Sequence, residues 1–341
     1  MINLRNDYST LGHERVLKAL LEHKDNVYLG YGLDSWSKKA EEKIKELLEN
    51  KKVEVHFLMN GTGANMILLS HVLKPYHAVI SADTGHIYVH ETGAIEGSGH
   101  KILTCNNQEG KILPDQVEAI CKAHTDEHMV KPKALYISNA TETGSVYTLQ
   151  ELKALKKVCI KYDLYFYMDG ARLGVALESC LNDIKWSDLC KLFDAFYIGG
   201  TKNGALLGEA MVLVNEDFKE NFRYHIKNKG GMYAKGFVIG LEFYELFKDG
   251  LYMELAKESL ESAKLLKDIM EEFGYYTFYP SSTNQLFYLV DKKEYEVFLE
   301  NVSFELLGEN EEGYLIRFVT SYASKKEEIE KMRRILEKIR R

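Results

Sequence analysis

Lys202 stands in Ile198-Gly199-Gly200-Thr201-Lys202-Asn203-Gly204, directly after an apolar run, Phe193–Ile198, that reads as a buried strand. A second such run, Tyr165-Phe166-Tyr167-Met168, ends in Asp169-Gly170-Ala171-Arg172. One loop therefore presents an amine and the other a carboxylate and a guanidinium. Glycines around Lys202 let the backbone approach a bulky planar ligand closely. A carboxylate after a strand lies where open α/β sheets place ligand contacts. A lysine able to form a Schiff base and an aspartate able to face a pyridinium nitrogen are the two groups that pyridoxal phosphate chemistry requires.

Other residues could join this pair. Asn60-Gly61-Thr62-Gly63-Ala64-Asn65 separates the run ending in Met59 from the helical pattern MILLSHVL. Free N–H groups at a helix start attract phosphate, although the same pattern also serves as a tight turn with no ligand. Met66 occupies the third glycine position of a dinucleotide fingerprint, which disfavours that ligand. His86 follows the strand-like Ala78–Ala82, and Glu91 lies five residues on; an imidazole there could stack on a ring or relay a proton. Arg317 is the one arginine in the alternating pattern Tyr314–Val319. It either faces water or grips a carboxylate in an interdomain cleft. His124 and His128 have i,i+4 spacing without the glutamate of a metalloprotease helix, so a metal centre is weakly supported.

Composition narrows the class. The 341 residues carry a formal net charge of −7, with no basic stretch interleaved with aromatics, which disfavours nucleic-acid binding. Five cysteines show no CxxC pair and suggest free thiols in a reducing cytosol. The polar start MINLRNDYST lacks an apolar signal core and no run reaches membrane-spanning length, so a cytoplasmic protein is expected.

Seven strand-like runs must position these groups: Val53–Met59, Ala78–Ala82, Lys101–Thr104, Ala134–Ser138, Leu164–Met168, Ala195–Ile198 and Ala210–Val214. Helical stripes lie between several of them, such as Ala40, Ile44, Leu47 and Leu48. The alternation predicts an α/β fold with a mostly parallel, doubly wound seven-stranded sheet. The division expected is an N-terminal arm (1–15), a large domain (16–235), and a small C-terminal α+β domain with a linking helix (236–341).

Together these residues resemble the threonine aldolase and β-eliminating lyase group of fold-type I pyridoxal phosphate enzymes, whose large domain is like that of aspartate aminotransferase. The resemblance runs through Leu4-Arg5-Asn6-Asp7, Gly61-Thr62-Gly63-Ala64-Asn65, His86 with Glu91, Asp169-Gly170-Ala171-Arg172, Thr201-Lys202 and Arg317. It implies that Lys202 holds pyridoxal 5'-phosphate as a Schiff base and that Asp169 pairs with the ring nitrogen. It also implies that His86 stacks on the ring, that Gly61, Thr62 and Thr201 hold the phosphate, and that Arg172, Arg317 and Asn6 bind substrate. His128, by its position before Asn139, matches a second family histidine suspected of taking the hydroxyl proton. Departures include Asn6 and Tyr8 in the opening motif, and Lys235 where relatives carry an arginine that reaches a neighbouring subunit's phosphate. The implied reaction is cleavage of a β-hydroxy-α-amino acid such as L-threonine to glycine and an aldehyde, in a homodimer or homotetramer with shared sites. A β-eliminating lyase or an aminotransferase could use the same set.

Overall fold

The structure, a computed structural model, describes residues 1–340. Its strands in chain order are β1 (Ile2–Asn3), β2 (Glu54–Leu58), β3 (His77–Ala82), β4 (Lys101–Cys105), β5 (Lys131–Ser138), β6 (Tyr165–Asp169), β7 (Ala195–Gly199), β8 (Glu209–Leu213), β9 (Gln285–Val290), β10 (Val302–Ser303), β11 (Glu305–Asn310) and β12 (Gly313–Val319). All seven strands expected for the large domain join one sheet, ordered β2-β8-β7-β6-β5-β3-β4. Strands β3 to β7 run parallel, whereas β8 is antiparallel to both β7 and β2.

This sheet is covered on both faces, which is why its strands read as nearly continuous apolar runs. Successive residues alternate between two cores. Ile80, Leu135, Phe166, Phe196 and Val212 enter one, while Val79, Ala134, Tyr167, Tyr197 and Met211 enter the other. The tyrosine face packs on the helix Gly61–Val72, and the opposite face meets the helices Leu149–Lys161 and Phe237–Phe247.

The small domain is an antiparallel sheet, β11-β12-β9, backed by the helices Leu251–Glu272, Lys292–Asn301 and Met332–Arg340. The apolar stripe Ile329, Met332, Leu336 and Ile339 closes its core. Helix Phe237–Phe247, grouped by sequence with this domain, sits in the large domain's core through Ile239, Phe243 and Leu246. By packing, the changeover falls inside the next helix, between Leu255 and Ala263. The arm is strapped to the small domain: β1 pairs with β10, and Leu4 exchanges backbone bonds with Ser303 and Val319. Strands β1, β10 and β11 escape sequence reading because two are only two residues long and the third is largely exposed.

Where β6 and β7 end, the chain segments nearly touch. A Cβ on Gly170 would lie 2.0 Å from the Tyr197 carbonyl oxygen, and one on Gly199 would lie 2.3 Å from that of Ala171. The loops carrying Asp169 and Lys202 thus lie side by side because neither bears a side chain at the crossing. Gly170→Ala is expected to lower stability by about 1–3 kcal/mol, read as an earlier urea unfolding midpoint with an unchanged slope. An unshifted midpoint would mean that the crossing gives way freely.

Candidate active site

The C-terminal ends of β2, β3, β5, β6 and β7 meet at one sheet edge, together with the start of antiparallel β8. Asp169 lies there, buried, with both carboxylate oxygens occupied. Oδ1 accepts from the Ala171 amide at 3.0 Å and from the Tyr197 hydroxyl. Oδ2 accepts from the Tyr136 hydroxyl at 2.7 Å and from Asn65 Nδ2 at 3.1 Å. Burial alone would raise its pKa, but the charge of His86 and the bonds from Tyr197, Tyr136 and Asn65 together hold it below the ordinary carboxylate value.

His86 opens the short helix His86–Val89 just past β3. Its Nδ1 is 2.8 Å from Oε1 of buried Glu91, and its backbone amide donates to Glu142 at 2.9 Å. Asn65 ties the two carboxylates together, because its Nδ2 also donates to Glu91 at 2.7 Å while Tyr167 donates to its Oδ1 at 2.8 Å. Burial works against the imidazolium. Glu91 and Asp169 outweigh that effect and raise the His86 pKa above its ordinary value.

Lys202 lies within a turn in which the Gly200 carbonyl accepts from the Asn203 and Ala205 amides. Among the described residues it enters no salt bridge. Burial and the nearby Arg172 guanidinium push its amine pKa down, while Asp7, Asp169 and Glu209 partly support the charge. Arg172 itself is clamped in bidentate fashion by Asp7, at 2.7 and 3.1 Å. Asp7 also accepts from Asn284 at 3.0 Å, so the arm, the large domain and the small domain meet on this one carboxylate. Arg317, on β12, has no carboxylate partner among the described residues. Its Nε is buried without a hydrogen-bond acceptor and its Nη1 is 3.5 Å from Gln285 Oε1, at the limit of a hydrogen bond. Burial and the like charge of Arg172 disfavour its cationic form, so an anion between the two guanidiniums would relieve both. Asn6 turns its Oδ1 onto the Tyr8 amide and the Ser9 hydroxyl, leaving its amide N–H groups as donors.

The residues present fit the cofactor implied by the sequence. Asn60 caps the helix Gly61–Val72 through the Gly63 amide at 2.7 Å, so the amides of Gly61 and Thr62 remain free of intrahelical bonds. Gly61 faces the Tyr197 hydroxyl, which a Cβ would approach to 2.8 Å. A phosphate at these amides, an amine at Lys202 and a carboxylate kept ionised at Asp169 are the contacts such a ring needs. The Thr201 hydroxyl accepts from the Gly208 amide at 3.1 Å, so it also braces its own loop.

Two expected residues stand apart. His128 is exposed on the turn before β5, at the opposite end of that strand from Ser138. Eight residues of strand, about 26 Å, separate it from this subunit's site, because the spacing to Asn139 is spent crossing the sheet. Lys235 is likewise exposed and takes no part in this subunit's site. In turn, Tyr136, Tyr197, Glu142 and Glu209 lie at the site although the sequence reading does not name them, and Asn65 and Asp7, present in its motifs, are given no role there. The tyrosines hide among core aromatics, and only their placement two and five residues before Ser138 and Lys202, in strands leading to this edge, signals them.

A model of the Beta-eliminating lyase family matches residues 3–293. A low-specificity L-threonine aldolase of a Pseudomonas species (strain NCIMB 10558) is 34% identical over 263 residues, 75% of each chain. The low-specificity L-threonine aldolase of Saccharomyces cerevisiae is 24% identical over 300 residues, covering 84% of this chain and 73% of its own. Among solved structures, a Leishmania major threonine aldolase superposes with a TM-score of 0.97 at 38% identity, over 100% of this chain and 99% of that one. Aspartate aminotransferase from Thermus thermophilus shares the fold, with a TM-score of 0.72 at 16% identity over 99% and 91%. The family match runs from the arm through the Lys202 loop into the small domain, and the chain belongs to the β-eliminating lyase family.

Proposed function

We propose that this protein is a pyridoxal 5'-phosphate-dependent carbon–carbon lyase that cleaves a β-hydroxy-α-amino acid such as L-threonine to glycine and an aldehyde. The observation that carries this reading is the gathering of Lys202, Asp169, the His86–Glu91 pair and two guanidiniums at one sheet edge, in a chain whose relatives are L-threonine aldolases. When bound, pyridoxal phosphate supplies a ring that withdraws electrons from a bond at the substrate's Cα.

The chain's own residues do the rest. Lys202 holds the cofactor through its amine, and the Gly61 and Thr62 amides hold the phosphate. Asp169, ionised by its four donors, keeps the ring nitrogen protonated. His86 gives its Nδ1 proton to Glu91 as a hydrogen bond, which leaves the Nε2 lone pair to accept the substrate's β-hydroxyl proton. Arg317 and the remaining N–H groups of Arg172, with Asn6 next in the chain to Asp7, would grip the α-carboxylate and fix the direction of the Cα–Cβ bond. Five free thiols, of which burial raises Cys105 to about 12 and Cys121 and Cys190 to about 11, suit a reducing cytoplasm.

The working unit proposed is a homodimer or homotetramer with shared sites. Leu11, Val27, Leu29 and Leu33 expose apolar side chains along the chain before the helix Ser35–Leu47. Tyr31 bonds to the Ala234 carbonyl at 3.2 Å, next to exposed Lys235. This surface suits a second copy, whose phosphate Lys235 would reach. Mixing inactive Lys202→Ala with inactive Lys235→Ala protein, under conditions of subunit exchange, should restore some activity. A fully active monomer, or a fully active Lys235→Ala enzyme, refutes sharing.

Borohydride reduction followed by peptide mapping should find a pyridoxyl group on Lys202, and threonine should yield glycine in equal amount to aldehyde. Ammonia with a keto acid in their place would overturn the reaction. Asp169→Asn should retain the fold but lose about 100-fold or more in kcat, and Arg317→Ala should lose about 10- to 100-fold in kcat/KM, the worth of a charged hydrogen bond.

The pH profile tests His86. Its pKa is raised in the folded protein, so the base form is lost as pH falls through that raised value, and the acid limb of kcat/KM should lie above 6.5. Glu91→Gln removes the charge that supports the imidazolium and should move the limb to lower pH. An unmoved limb would assign it to another group.

A further inference from the structure

Glu209 is a buried carboxylate that none of these steps uses. It opens β8 at the active edge, in register with Gly199 of β7 and Leu58 of β2. Its Oε2 accepts from the Gly200 amide at 2.9 Å, and the Gly208 amide just before it donates to the Thr201 hydroxyl at 3.1 Å. The start of β8 therefore holds the two residues that lead into Lys202, Glu209 itself through Gly200. Among the described residues it enters no salt bridge, and Lys202 is the charge that acts on it most strongly.

We propose that Glu209 is a positioning residue for Lys202, fixing the turn that presents the amine and serving as the buried counter-charge that governs how readily that amine gives up its proton. Two groups of opposite sign sharing a dry site make each other's ionisation possible. Burial raises the Glu209 carboxyl to about 8, the Lys202 charge opposes that rise, and Asp169 adds to it. The Lys202 amine is lowered by burial and by Arg172, and Asp7, Asp169 and Glu209 act in the other direction. Asp7 is engaged by Arg172 and Asn284, and Asp169 by its four donors. The hydroxyls of Tyr167, Tyr197 and Tyr252 also feel Glu209, but none of them is a cation. Glu209 is thus the carboxylate whose backbone anchor moves with Lys202 itself. A glutamine in its place retains an oxygen acceptor for Gly200 and cannot ionise at any pH, which separates shape from electrostatics.

The proposal rests on Lys202 being the amine that holds the cofactor. Full-length protein stripped of cofactor is labelled with trinitrobenzenesulfonate across pH, and the Lys202 peptide is quantified by mass spectrometry. Saturation with pyridoxal phosphate should protect Lys202 in wild type; lack of protection would reject the lysine assignment and leave the Glu209 comparison intact. In Glu209→Gln the labelling midpoint should fall by roughly one pH unit, because the carboxylate that supports the ammonium is gone. An unmoved midpoint overturns the proposal and leaves Glu209 as a purely structural acceptor. Urea unfolding provides the second measurement. Burial of the Glu209 carboxyl is a cost that Lys202 partly offsets, so Glu209→Gln should shift the midpoint upward by more in a Lys202→Ala background than in wild type. An equal shift in both backgrounds overturns the pairing. If Glu209→Gln alone is insoluble, recovery of soluble protein in the double variant supports the pairing, and failure of the double variant rejects it.

Discussion

A carboxylate cut off from water at the end of a core strand stays ionised only where donors replace its hydration. Asp169 meets that condition with one backbone amide, two tyrosine hydroxyls and one carboxamide. The rest of the site follows from this. Tyr136 and Tyr197 point at the carboxylate because β5 and β7 flank β6 in parallel register, placing these rings on the face that carries the Gly61 helix. Asn65 reaches it from one turn inside that helix and extends the network to Glu91, and thus to His86. A change at Asn65 therefore acts on Asp169 and on the Glu91–His86 pair together.

The sheet's arrangement explains why an amine and a carboxylate can share so small a volume. The glycines at the ends of β6 and β7 bring the two loops into backbone contact, and antiparallel β8 returns the chain so that Glu209 lies against the turn before Lys202. Two carboxyl groups and one amine then lie in a region where the effective dielectric is low. Their mutual attractions are stronger than they would be at the surface, and so is the penalty for leaving any of them unpaired.

Much of this was legible in the sequence, for physical reasons. Strands buried on both faces must be apolar throughout, which is why β3, β6, β7 and β8 stand out as runs, and ligand loops after such strands carry glycine and charge. Lys202, Asp169, His86 and the Gly61 turn were visible on that ground. The supporting residues were not. Tyr136 and Tyr197 look like ordinary core aromatics, and Asp7 and Glu209 become informative only when burial removes water from them. His128 failed for a related reason: its spacing to Asn139 is kept, but the intervening strand carries it to the far edge. The packing of helix Phe237–Phe247 on the large domain was also hidden, since an apolar helix does not reveal which core it enters.

The placement of the two guanidiniums depends on the arm as much as on the strands. Arg172 is oriented by Asp7, which the arm carries, and the arm is itself hydrogen-bonded to β10 and β12 of the small domain. Arg317 comes from β12. Both guanidiniums are thus referenced to the small domain, one directly and one through Asp7, while Lys202, Asp169 and His86 are referenced to the large sheet. Any displacement of the small domain would move Arg317 and Asp7 relative to Lys202, Asp169 and His86. The Asp7 bridge to Arg172 and Asn284 opposes that displacement with a buried, charge-assisted contact, the kind whose loss leaves uncompensated charge behind. Keeping the two guanidiniums in place relative to Lys202 and Asp169 is therefore a task of domain placement, and Asp7 is the residue through which the arm performs it.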